Sequence, residues 1–104
     1  MLNINIKATG IELTSEISDY LNKKVAPLNK FIREDDNNAS AQIEIGRETN
    51  HHKTGNIFFT EINFRIDGKD FRARAVGDSL MSSMDKAKDI ALETVRGEKD
   101  KKIR

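Results

Sequence analysis

Two adjacent histidines and a lysine, in His51-His52-Lys53-Thr54-Gly55, form the most distinctive chemical string in the chain. Imidazole nitrogens suit metal binding or general-base catalysis, but the spacing favours neither. Neighbouring residues on an extended chain point to opposite faces, and no cysteine or third histidine completes a zinc shell. No nucleophile and orienting acid stand in a pattern that completes a catalytic trio. The string reads as a solvated loop whose imidazole and ammonium donors can also reach phosphate or sugar oxygens.

The other chemistry-bearing side chains are cations. Arg65, Arg72 and Arg74 fall on one face of two alternating segments around Asp67-Gly68, with Glu61 on the same face. Ion pairing to Glu61 and Glu44 is the plain alternative to anion binding there. Lys23, Lys30 and Arg33 share a helical stripe, and Asp19 stands one turn before Lys23, where a local pair is expected. Lys86 and Lys88 are tempered by Asp85 and Asp89. Singly, such charges are usually just solvated. Together they matter, because phosphate affinity grows with the number of contacts made at once.

Enzyme chemistry finds no footing, and no metal or cofactor is expected. Gly46, Gly55, Gly68 and Gly77 are dispersed and build no phosphate-cradling loop. Ser82-Ser83 reads as a pair of small residues on a packed helix surface, not as a nucleophile. One tyrosine and five phenylalanines, mostly on core faces, leave few platforms for stacking bases. Any RNA contact should therefore go mainly to backbone and rest on shape and charge.

Composition sets the frame for these side chains. The chain has 104 residues, 37% hydrophobic and 34% charged, which suits one small domain with a single core. No apolar run approaches the roughly 18 residues of a membrane-spanning helix. The alternating Met1-Leu2-Asn3-Ile4-Asn5-Ile6-Lys7 lacks a signal-peptide block, and the absence of cysteine removes disulfides, so a cytoplasmic protein is expected. The formal net charge is +1, but its distribution is uneven. Residues 1–52 hold six basic against eight acidic side chains, and residues 53–104 hold twelve against nine. A basic second half can meet phosphates or remain solvated.

The elements that must position these groups follow from periodicity. Leu2, Ile4 and Ile6 alternate as a strand. Thr14 or Ser15 can cap a helix over about 15–33, with Ile17, Tyr20, Leu21, Val25, Leu28, Phe31 and Ile32 on one stripe. Pro27 lies inside that stripe and should kink or break the helix, since it cannot donate to the Lys23 carbonyl. A polar loop over 34–38 precedes a strand at Ala41, Ile43 and Ile45. A third strand over about 56–66 puts Phe58, Ile62, Phe64 and Ile66 on one face. Asp67-Gly68 is a type I′ hairpin signal, followed by a fourth strand to about Val76. Asp78 or Ser79 can cap a second helix, with Leu80, Met84, Ala87, Ala91 and Val95 on its stripe. Gly97 is placed to end it, dividing the chain into a domain over 1–97 and a charged tail over 98–104. One apolar face per element predicts an α+β fold: a four-stranded mixed sheet, both helices on one side, the other side open to water. A right-handed crossover through the first helix allows the first two strands to be parallel.

With these segments in order, the sequence resembles the bacterial ribosome hibernation-promoting factor (ribosome-associated inhibitor A) family in its short form. The resemblance spans nearly the whole chain. It is carried by Ile4-Asn5-Ile6-Lys7-Ala8-Thr9-Gly10 with Ile11-Glu12-Leu13-Thr14, by Tyr20 to Lys24, and by Ile43-Glu44-Ile45-Gly46-Arg47 leading to His51-His52-Lys53-Thr54-Gly55. Gly77-Asp78-Ser79-Leu80-Met81 leading to Met84-Asp85-Lys86-Ala87 completes it. The resemblance implies a β-α-β-β-β-α domain, similar in shape to double-stranded-RNA-binding domains. It further implies a partner, the small ribosomal subunit and its ribosomal RNA, and an action: occlusion of the messenger and transfer RNA channel during starvation or stationary phase. A membrane and a small-molecule substrate are not implied, and a monomer is expected off the ribosome. Lys23, Lys24, Lys86, Lys99 and Lys101 are the positions the resemblance marks for RNA. Lys30, His51, His52, Lys53, Arg72, Arg74 and Lys88 join them as candidates. Met81, Ser82 and Ser83 depart from the aromatic and alanines usual at the second-helix start, and Ile90 and Glu93 stand where relatives are often basic. The same fold without RNA binding, acting as a protein-interaction module, is the alternative.

Overall fold

The computed structural model describes residues 1–48 and 57–103, and only the backbone of residues 100–103. Strand β1 (Asn3–Thr9) is followed by helix α1 (Ser15–Val25), which passes directly into a 3₁₀ helix (Ala26–Phe31). Strands β2 (Ser40–Arg47), β3 (Phe58–Ile66) and β4 (Lys69–Gly77) come next, and helix α2 (Leu80–Ile103) closes the order. The four strands form one sheet in the order β1-β2-β3-β4. β1 runs parallel to β2, and the other two pairings are antiparallel. This is the mixed sheet with two helices that the alternation demanded.

Local chemistry explains each boundary. Thr14 is extended, with φ −97° and ψ 162°, and its hydroxyl accepts from the Ile17 N–H at 3.2 Å. Pro27 falls in the first turn of the 3₁₀ helix, where a missing N–H does little harm. The long apolar stripe therefore persists, while its winding tightens at the proline. Asp67 (φ 54°) and Gly68 (φ 77°) both adopt the left-handed conformation that a type I′ turn requires. The Ser79 hydroxyl caps α2 by accepting from the Ser82 N–H at 3.0 Å.

Register then sorts the side chains. Ile4↔Ala41, Ile6↔Ile43 and Ala8↔Ile45 pair across β1 and β2, while Ile43↔Ile62 and Ala41↔Phe64 continue the layer into β3. Ile62↔Ala73 and Phe64↔Phe71 carry it into β4, where the two phenylalanine rings stack at 5.0 Å. Leu21, Val25 and Leu28 from the first helical segment, with Met84, Ala87, Ala91 and Val95 from α2, seal this face. A buried hydroxyl pair ties sheet to helix. Ser83 donates to the Leu80 carbonyl at 2.8 Å, so Thr60 donates to Ser83, also at 2.8 Å.

One boundary differs from the sequence expectation. α2 does not stop at Gly97 but continues to Ile103, so residues 98–103 are helical rather than a loose tail. A glycine ends a helix by turning left-handed, and Gly97 does not have a positive φ. The added turn is held at the β3–β4 hairpin, where Lys99 pairs with Asp67 and Glu98 with Lys69.

Candidate nucleic-acid interface

β1 and β4 run in the same direction, so both helices start at one end of the sheet and run side by side. Between them lies a seam. Its upper end is a shallow groove of ≈ 360 Å³ lined by Thr14, Glu16, Ile17, Tyr20, Met81 and Met84. Just below, the Tyr20 hydroxyl donates to Asp85 Oδ1 at 2.6 Å, and Lys24 Nζ stands 3.7 Å from the same oxygen. Lys24 also lies 5.3 Å above the Tyr20 ring centre. One turn further along α2 comes Lys88, which pairs with Asp89 at 2.6 Å.

Farther down, the Phe31 ring gathers two cations. Lys30 Nζ is 5.3 Å from its centre and the Arg96 guanidinium 6.0 Å. Among the described residues neither has a carboxylate partner, and both are exposed. Each cation is drawn to the electron-rich face of the ring while its charged end stays in solvent. Arg96 was not among the candidates read from the sequence. The signal was present, because Arg96 is one and three turns from Leu92 and Asp85 on α2, yet only the packing of α2 against the 3₁₀ helix sets it against Phe31.

The remaining candidates are dispersed. Lys23 is exposed on the outer side of α1, and the expected pair with Asp19 is not formed. The 3₁₀ winding after Val25 also breaks the single stripe expected for Lys23, Lys30 and Arg33, and Arg33 instead pairs with Asp35 at 3.2 Å. Lys86 sits on the far flank of α2, two residues and more than half a turn from Lys88, and its ammonium reaches the Val76 carbonyl at 3.5 Å. Lys99 is committed to Asp67. His51, His52 and Lys53, and the side chain of Lys101, lie outside the described residues.

On the open face of the sheet, the arginines sit together as their spacing predicted, but with carboxylates. Arg72 donates to Glu61 at 2.7 Å, Arg74 to Glu48 at 2.7 Å, and Arg65 to Asp70 at 3.3 Å. Glu61 lies 3.6 Å from Arg74 as well. The Arg72 hydrogen bond, helped by one from Asn63, holds the Glu61 carboxyl below its ordinary value despite some burial. Register explains the pairing: Glu61 is directly opposite Arg74, and Asn63 opposite Arg72.

The unpaired cations thus lie mainly along and beside the helices, and the sheet's outer face is charge-balanced. This is a small α+β domain that, among the described residues, presents most of its free basic groups from the helices, with Lys7 exposed on the outer face of β1. The family model described as Sigma 54 modulation protein / S30EA ribosomal protein matches residues 4–103. The chain belongs to that family, one of ribosome-associated modulation factors and not a class of enzymes. The fold is similar to the N-terminal domain of Thermus thermophilus Protein Y, with a TM-score of 0.73, 23% identity, and 89% of this chain and 94% of that chain covered. It is equally similar to a ribosomal subunit interface protein from Coxiella burnetii, with a TM-score of 0.73, 14% identity, and 96% and 99% covered. No curated protein sequence matches the chain. Among the described residues, no helix is long and apolar enough to cross a membrane, and no cluster of His, Cys, Asp or Glu could hold a metal ion.

Proposed function

We propose that this protein is a cytoplasmic, ribosome-associated translation inhibitor of the hibernation type. It binds ribosomal RNA of the small subunit and occupies the channel for messenger and transfer RNA in starvation or stationary phase. The observation that carries this reading is the family match across residues 4–103. The name of the Coxiella burnetii relative in fold, a ribosomal subunit interface protein, points the same way.

The mechanism is occlusion, with no bond made or broken. Lys24, Lys30 and Arg96 along the seam, with Lys23, Lys86 and Lys88 beside it, neutralise RNA phosphates as a set. His51, His52, Lys53 and Lys101 extend that set. Lys24, Lys88, Arg72 and Arg74 must each exchange a carboxylate for a phosphate, the exchange being easiest for Lys24 at its longer separation, and Lys99 must leave Asp67. The protein acts as a monomer off the ribosome.

Sedimentation through a sucrose gradient tests this. The protein should travel with small subunits or whole ribosomes at low salt and leave them at high salt, with log affinity falling by about 0.9 per neutralised phosphate per unit of log salt. Recovery only at the top of the gradient at low salt overturns the reading. Joint replacement of Lys23, Lys24 and Lys86 by alanine should weaken binding while the domain stays folded, and an unchanged affinity removes them from the site.

A second reading is a protein-interaction module of the same fold. The charge-balanced outer sheet favours it, as does Ile90, 38% exposed on α2. Binding to a protein partner that does not respond to salt would select this reading over the first.

A further inference from the structure

Tyr20, Lys24 and Asp85 meet across the seam on one carboxylate oxygen. Tyr20 Oη and Lys24 Nζ both approach Asp85 Oδ1, at 2.6 and 3.7 Å. The lysine and aspartate side chains remain 35% and 43% exposed, so water and a ligand reach both. An ion pair this open contributes little to holding the fold together. What it does is occupy Lys24, the seam cation in the last turn of α1.

We propose that Asp85 is an internal counter-carboxylate that sets the phosphate affinity of the seam: it holds Lys24 in the free protein and yields it to an RNA phosphate on binding. The inference rests on the phosphate-binding reading above and concerns regulation of that same site. Tyr20 makes the exchange easy. When Lys24 swings away, the Tyr20 hydroxyl still donates to Asp85, and the carboxylate is not left bare. The hydrogen bond to Asp85, with lesser help from desolvation, holds the Tyr20 phenol above its ordinary value. Lys88, the next cation along, is engaged by Asp89 instead, so Asp85 serves Lys24 and Tyr20 among the described residues.

A double-mutant cycle on the full chain, read as binding to purified bacterial small ribosomal subunits across a salt series, tests this. Asp85→Asn keeps an oxygen that accepts from Tyr20 but removes the charge. It should tighten binding about threefold or more at low salt and steepen the log–log salt slope by about one. Lys24→Ala should cost less than about twofold in the parent chain and about threefold or more in the Asp85→Asn background. Tyr20→Phe, which leaves the Asp85–Lys24 pair intact, should weaken binding, because Asp85 then gives up Lys24 with no protein donor left on it. Equal cost of Lys24→Ala in both backgrounds overturns the inference alone, as does unchanged affinity in Tyr20→Phe. Absence of binding by the parent chain at low salt overturns the underlying reading and the inference with it. Circular dichroism and thermal unfolding report whether each variant keeps the fold.

Discussion

Lys99, near the end of α2, donates to Asp67 at the tip of the β3–β4 hairpin, a carboxylate only 7% exposed. Asp67 also accepts from the Arg33 N–H at 3.4 Å, and its own N–H donates to Asp36 Oδ2 at 2.8 Å. The hairpin, the segment after the 3₁₀ helix and the C-terminal turns of α2 are therefore fastened at one point. Burial works to raise the Asp67 carboxyl, but the bonds from Lys99 and the Arg33 backbone outweigh it and hold the group below its ordinary value. A group so depressed stabilises the fold above its unfolded value and loses that contribution as pH falls through the folded one. Lys99→Met should cost about 1–3 kcal/mol at neutral pH by denaturant titration. The gap between variant and parent should narrow as pH falls through the depressed value of Asp67 and its carboxylate protonates.

Thr60 and Ser83 are both fully buried, and the Thr60 hydroxyl has Ser83 as its acceptor while Ser83 donates to the Leu80 carbonyl. Ser83→Ala strands the Thr60 hydroxyl and should cost about 1–3 kcal/mol. Thr60→Val combined with Ser83→Ala removes both polar groups and should recover much of that loss, which thermal unfolding of the three variants would reveal.

Gly46 leaves no room for a side chain. A Cβ there would meet the Thr9 carbonyl at 2.3 Å and the Phe59 ring at 2.9 Å. Gly46→Ala must push β1 from β2 or displace the ring, and about 1–3 kcal/mol of stability should be lost. Faster amide exchange along β1 would mark the separation.

Gly97 is the opposite case. It lies within α2, its φ is not positive, and a Cβ would meet nothing within 4 Å. Gly97→Ala should raise stability by about 0.5–1 kcal/mol through lower unfolded-state entropy and better helix propensity. A lowered melting temperature would show that the helix does end there in solution.

The amino-acid order was sufficient for the sheet, its layers and its turns. Alternation at Ile4, Ile6, Ala41, Ile43 and Ile45 left one way to bury those side chains, and Asp67-Gly68 fixed the hairpin register that places Glu61 opposite Arg74. Such features depend on neighbours within a few residues or on a period of two. The end of α2 was not legible in that way. Gly97 carries a local stop signal, and it is overridden by Asp67 and Lys69, which lie about thirty residues earlier and approach only in the folded chain. The same holds for the site. Sequence spacing could assign a cation to a helix face but could not say which faces meet, so the convergence of Lys30 and Arg96 on Phe31, and of Lys24 and Tyr20 on Asp85, came only with the packing of the two helices. Coulomb energy and hydrogen bonding act through space over a few ångströms, and one-dimensional order does not record those distances.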